Sequence, residues 1–250
     1  MNKLIFGLLW LGFVGYAFFL APPDRANTLQ LIIDLSTGKW QDINPAIVAL
    51  FNLMGILPAI YACLMLIDGK TQKLRAGLFC AASFGVGAFA ILPYLALRVP
   101  NSSSQSDSCS KRLLFSSRGY ANERLRQRQR QQVDGIARRG IIKVVDSRWL
   151  GIALTIATIV LLGYGIGQGD WLDFSQQWQT NRFIHVMSLD FCLLSLLLPV
   201  LINDDIDRRN FSNPQLVKII SLIPLFGGLY YLCVRPQLPD PNPTSVPNIV

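Results

Sequence analysis

Asn181–Arg209 reads NRFIHVMSLDFCLLSLLLPVLINDDIDRR. From Phe183 to Ile202 it is almost wholly apolar, close to the roughly 20 residues a helix needs to cross a bilayer. Yet it carries the only histidine of the chain, His185, and an aspartate, Asp190, among apolar neighbours. An aspartate in a lipid-spanning helix costs roughly 2.5–3.5 kcal/mol at the bilayer centre. Asp190 is therefore expected to face protein or water. It lies about 10 Å from the start of its helix at 1.5 Å per residue. His185, five residues earlier, sits about 140° around the helix from it. The two thus form separate sites, with His185 near the headgroup boundary. Arg182 and His185, three apart, share a face.

Outward from this stretch the same character recurs. The chain has 250 residues, 51% hydrophobic and only 15% charged, with mean hydropathy +0.37. A soluble domain carries roughly 25% charged residues. Five further stretches are long and apolar enough to span: Leu4–Ala21, Ile47–Ile67, Leu74–Leu97, Trp149–Gly167 and Leu216–Val234. The first is too long for a usual signal h-region and lacks a clear cleavage site, so a retained helix is expected. Pro58, Pro93, Pro199 and Pro224 interrupt four of the six, where bends are expected. The fold class is thus all-α, a polytopic membrane protein with six transmembrane helices.

The two halves of the chain match. DLSTGKWQDINPAIVALFNLMGILP lies over DFSQQWQTNRFIHVMSLDFCLLSLLLP, pairing Trp40 with Trp178 and Asn52 with Asp190. FAILPYLALR lies over FGGLYYLCVR, pairing Tyr94 with Tyr231 and Arg98 with Arg235. Three spans per unit is an odd number, which makes successive units inverted, as in several transporter folds. The expected organisation is a first unit over 1–98, a basic loop over 99–148, a second unit over 149–235 and a disordered tail over 236–250. Asn52, Arg182 and His185 join Asp190 as the candidate intramembrane polar site, with Asn52 the favoured hydrogen-bond partner of Asp190.

The net charge is +8, and twelve of the 23 Lys and Arg residues lie between Arg98 and Arg148. Six spans put 17 of the 23 on one side, counting Arg25 and Lys39, those twelve, and Arg208, Arg209 and Lys218. The positive-inside rule makes that side cytoplasmic and places both termini on the non-cytoplasmic side. Within the loop, Arg124, Arg126, Arg128, Arg130, Arg138 and Arg139 make a surface for anionic lipid or an acidic partner complex. Nucleic acid is not expected, because no aromatic residues interleave with the arginines.

One histidine and five dispersed cysteines argue against a metal site. No Walker A motif, nucleophile elbow or H-E-x-x-H motif occurs. No catalytic residue, metal or cofactor is expected.

LFNLMGILPAIYACLMLIDG, FGVGAFAILPYLALR and the RFIHVMSLDFCLLSLLLP…DDIDRR segment resemble a family of multi-pass proteins of cyanobacteria and chloroplasts. The likeness spans most of the chain and implies a thylakoid or plasma membrane setting. It carries no activity onto particular residues. Two functions remain open: a non-enzymatic accessory or assembly factor of a photosynthetic membrane complex, or a small-solute or ion transporter with Asp190 in its pathway. A water-filled cavity reaching Asp190 favours the second, and a closed, lipid-tight bundle the first.

Overall fold

The computed structural model describes residues 3–68, 75–98, 140, 144–209, 211 and 213–236. The arginines from Arg124 to Arg139 and the tail beyond 236 lie outside the described residues. Among the described residues there are ten α-helices and no strand. They are α1 (Lys3–Gly15), prolonged by a π-helical turn (Tyr16–Leu20), α2 (Thr28–Thr37), α3 (Pro45–Asp68), α4 (Ala76–Val86) and α5 (Ala88–Leu97). After the basic segment come α6 (Arg148–Gln168), α7 (Trp171–Thr180), α8 (Arg182–Arg208), α9 (Pro214–Ser221) and α10 (Phe226–Val234).

Four of these runs are long and apolar enough to cross a membrane: Lys3–Leu20, Pro45–Asp68, Arg148–Gln168 and Arg182–Arg208. The expectation of six spans is corrected at the third and sixth stretches. Each folds as two short helices that turn back on themselves. α4 and α5 have 11 and 10 residues, so each reaches only about 15–16 Å, half of a ~30 Å hydrocarbon core. The turn is Gly87, with φ 52° and ψ −123°, a conformation glycine adopts at little cost and other residues avoid. Phe79, near the start of α4, packs on Tyr94, near the end of α5, with ring centroids 5.7 Å apart. The pair is therefore an antiparallel hairpin whose ends lie together.

The second hairpin is built differently. Pro224 has no N–H to continue a helix, and Leu225 takes φ 62°. Phe211, just before α9, packs on Tyr231 near the end of α10 at 5.8 Å. This chain too returns to the end from which it entered.

Because each unit holds two long helices and a hairpin, the units run in the same direction. α3 and α8 pack side by side at the centre. Ile47 and Val48 share a buried cluster with Ile184 and Met187 at one end. At the other end Arg208 donates to Asp68. The expected inversion is thus replaced by a parallel repeat, and the Tyr94/Tyr231 and Arg98/Arg235 matches hold within it. The odd count of crossings on which inversion rested does not occur.

All the hairpin ends and the first residues of α1 and α6 gather at one end of the bundle, called here the charged face. The short amphipathic helices α2 and α7 occupy the opposite face. Asp170 starts α7 by accepting the Leu172 and Asp173 N–H groups at 3.0 and 3.1 Å, a normal N-cap. The Asn44 side chain then bonds Asp173 at 2.8 Å.

Candidate functional site

At the charged face the repeat is visible in its chemistry. Tyr94 donates to Asp68 at 2.6 Å and Tyr231 donates to Asp205 at 2.7 Å. Arg98 lies 3.7 Å from Asp68, and Arg235 lies 4.0 Å from Asp205. All six residues are buried. Around the first triad stand Arg208 and Asp204, the latter 2.6 Å from Arg98. Around the second stand Arg209 and Asp146, 2.6 Å apart. Burial works against the charge of Arg209, but Asp205 and Asp146 beside it outweigh that and raise its pKa. A carboxylate fixed by a tyrosine and an arginine ties the end of each long helix to the foot of its own hairpin. The three aspartates of NDDIDRR thus have separate partners, Asp207 bonding Lys218 at 2.9 Å.

The repeat breaks down between the long helices. α6 packs closely along α3. A Cβ added at Gly165 would lie 2.6 Å from that of Ala49, and one at Gly169 would lie 2.9 Å from that of Ala46. Small residues on both helices let the backbones meet. The equivalent contact between the units, α1 against α8, has no comparable packing. Near the opposite face it is joined by Tyr16, whose hydroxyl is 2.8 Å from His185 Nε2. His185 is buried, and its Nδ1 lies 2.9 Å from the Trp178 carbonyl. That contact requires a proton on Nδ1, which leaves Nε2 to accept from Tyr16. His185 is therefore a buried connector between the end of the first span, α7 and α8.

The loose α1–α8 seam contains a cavity of about 520 Å³. Its mouth, at the opposite face, carries Asp24, Thr28 and Arg182. Its wall is formed by Phe51, Met54, Phe89 and Met187, and it ends at Asp190 and Gly87. Phe18, Phe84 and Val86 on its flank are exposed, so the cavity also opens sideways towards lipid.

Asp190 is 5% exposed. Its Oδ1 accepts the Ala88 N–H at 2.7 Å. Ala88 is the first residue of α5, whose unsatisfied N–H groups and helix dipole favour a carboxylate there. The inward direction expected from energetics is correct, while the favoured partner is not. Asn52 donates instead to the Val48 carbonyl of its own helix at 2.8 Å. The hairpin brings a backbone donor to Asp190, so no side-chain amide is needed. Arg182 Nε donates to the Pro22 carbonyl at 3.0 Å and stands at the cavity mouth. Of the four candidate residues, the cavity joins Asp190 and Arg182, while His185 and Asn52 have local partners elsewhere.

Two participants escaped sequence reasoning. Gly87 is one: a Cβ there would fall on the Asp190 carboxylate. No local motif announces it. The Asp68/Asp205 pair is the other, and the offset that matches Tyr94 with Tyr231 would have found it.

These features define an all-helical membrane protein with four helices long and apolar enough to cross a bilayer and two short apolar hairpins. No protein-family model, curated protein or solved structure matches the chain.

Proposed function

We propose that this is a non-enzymatic membrane carrier in which Asp190 binds a proton or a small cation. The observation that carries the reading is the cavity that enters from the opposite face and ends on Asp190. A lone carboxylate in such a place is costly unless it has a use or a partner. Asp190 has one hydrogen bond from Ala88 and retains a face on the cavity. Towards the charged face the seam is filled by Trp10 and Phe13. Trp10 Nε1 donates to the Phe89 carbonyl at 3.1 Å, and the Phe13 and Phe89 rings lie 4.7 Å apart. Beyond them a second cavity of about 410 Å³ opens at the charged face. Two half-cavities separated by a thin aromatic septum are what alternating access requires of a closed intermediate.

The charged face is proposed to be cytoplasmic, or its equivalent. Of the 23 Lys and Arg residues, only Arg25, Lys39 and Arg182 belong to segments at the opposite face. The remaining 20 (23 − 3) belong to segments that begin or end at the charged face. That asymmetry reverses the orientation expected from six spans, because both termini now join the basic segment.

The test uses purified protein in liposomes loaded with a pH-sensitive or sodium-sensitive dye, under an imposed membrane potential. Wild-type protein should carry one of the two ions faster than empty liposomes do. Asp190→Asn should retain the fold, since the amide oxygen still accepts from Ala88, and should lose the flux. Equal flux from wild-type and empty liposomes would reject the carrier and return the accessory role.

A further inference from the structure

We propose that the cavity at the charged face is a binding site for one anionic phospholipid, its headgroup on Lys3 and Arg98 and an acyl chain along α8. This is independent of the ion-carrier reading, which concerns the cavity on the other side of the septum. Three observations carry it.

The first is an orphaned donor. Arg98 is 3% exposed, yet its Nη1 has no hydrogen-bond partner. The same guanidinium lines the 410 Å³ cavity. Asp204 lies against its Nη2 at 2.6 Å, and Asp68 stands 3.7 Å from Nη1. Nη1 is closed off in this conformation, so it reaches an anion in the cavity only when the clamp loosens. An orphaned donor on a buried arginine costs more than one satisfied by an acceptor, and a phosphate oxygen is a strong acceptor for a guanidinium.

The second is the shape and chemistry of the lining. Lys3, Asn203 and Asp204 stand beside Arg98 in the lining. With Arg208 nearby on Asp68, the group counts Lys3, Arg98 and Arg208 against Asp68 and Asp204, a surplus of one positive charge. Deeper in, the walls are Phe6, Leu197 and Val200. Leu196 and Leu222, at the lateral edge, are 64% and 65% exposed. A cationic rim above an apolar trough open to the side fits a lipid. A soluble anion would leave the trough empty.

The third is location. This is the seam where α1 and α8 fail to pack, whereas the equivalent α6–α3 seam is closed by Gly165 and Gly169 on Ala49 and Ala46. Among the described residues this end also holds Lys3, Arg75, Arg98, Arg148, Arg208, Arg209, Lys218 and Arg235 against Arg25, Lys39 and Arg182 at the other, which makes it the cytoplasmic face under the positive-inside rule and hence the more anionic leaflet. A chain lying in the seam would supply the packing that α1 and α8 do not give each other.

The experiment is native mass spectrometry of the full chain in detergent, with phosphatidylglycerol or phosphatidylcholine added at equal concentration. Wild-type protein should retain a single phosphatidylglycerol, preferred by about fivefold or more on the scale of one basic residue at a membrane surface. Lys3→Glu should bring that preference to parity. Leu196→Trp, which fills the trough without touching a charge, should reduce retention of both lipids. Arg98→Gln disturbs the clamp as well as the site, so the conclusion rests on the other two variants. Equal retention of both lipids by wild type would overturn the proposal. Phosphatidylglycerol retention that survives Leu196→Trp would overturn it too, by assigning the lipid to the basic segment. Displacement of the lipid by millimolar inorganic phosphate alone would make the site one for free phosphate and reject the acyl contact.

Discussion

At the scale of single residues, Asp190 and Gly87 explain each other. The hairpin needs a sharp reversal in the middle of the bundle, and glycine supplies the φ of 52°. Reversal leaves the first N–H groups of α5 without intrahelical partners. Asp190 takes the one from Ala88, and it comes close enough only because residue 87 has no side chain. Gly87→Ala should therefore destabilise the protein twice over, by backbone strain and by overpacking, together roughly 2–5 kcal/mol. The two parts are separable. In an Asp190→Ala background the overpacking should vanish, so Gly87→Ala should cost roughly 1–3 kcal/mol less there. Thermal unfolding of the four variants in detergent measures the cycle, and strict additivity would contradict the contact. His185 has a quieter part. With both ring nitrogens engaged by Tyr16 and Trp178, it ties α7 and the end of the first span to α8.

At the scale of elements, the lesson is why four long helices were legible and two hairpins were not. Length and apolarity are recorded along the chain, and they identify Leu4–Ala21, Ile47–Ile67, Trp149–Gly167 and Phe183–Ile202 as spans. A re-entrant hairpin of two ten-residue helices has the same length and apolarity as one spanning helix. The breakers mislead as well. Pro58, Pro93 and Pro199 all sit inside continuous helices, where a neighbour can compensate. The true break in the third stretch is Gly87, one of several glycines and held by a residue 103 positions away, so no local pattern marks it. Asp190 was legible as an inward-facing group because its cost in lipid is independent of the fold. Its partner was not, because a backbone N–H has no letter in the sequence. The α6–α3 contact gives a further prediction. Gly165→Leu should pry the two helices apart and lower the melting temperature, at a cost of about 1–3 kcal/mol. Gly163→Leu, whose Cβ would meet nothing within 4 Å, should be tolerated. Similar losses at both positions would show that α6 does not pack as described. The aromatic septum is an element of the same kind on the other seam. Phe13→Ala should join the two cavities and turn coupled ion movement in liposomes into a leak no longer dependent on Asp190.

At the scale of the whole molecule, a repeat of two spans and a hairpin has consequences that a repeat of three spans does not. An even number of crossings returns the chain to its starting face. Both units then run in the same direction. The residues matched by sequence meet at one face, as Asp68, Tyr94 and Arg98 do with Asp205, Tyr231 and Arg235. In an inverted repeat the two triads would lie on opposite sides, and Arg208 could not reach Asp68. The charge distribution supports the same arrangement. Six spans divide the basic residues 17 to 6, whereas four spans divide them 20 to 3, and only the second division is independent of the long basic segment. Without the twelve residues from Arg98 to Arg148, four spans still give 8 to 3, while six give 5 to 6. The topology can be read directly. Single cysteines at Ser104, Ser245 and Gln176, in a background with Cys63, Cys80, Cys109, Cys192 and Cys233 replaced, are labelled in sealed vesicles by an impermeant maleimide. Ser104 and Ser245 should react from the same side, the cytoplasmic one, and Gln176 of α7 from the other. Ser104 and Ser245 reacting from opposite sides would restore a fifth or sixth crossing. The hairpins would then have to be spans, and the shared face on which both triads, the seam and its two cavities depend would be lost.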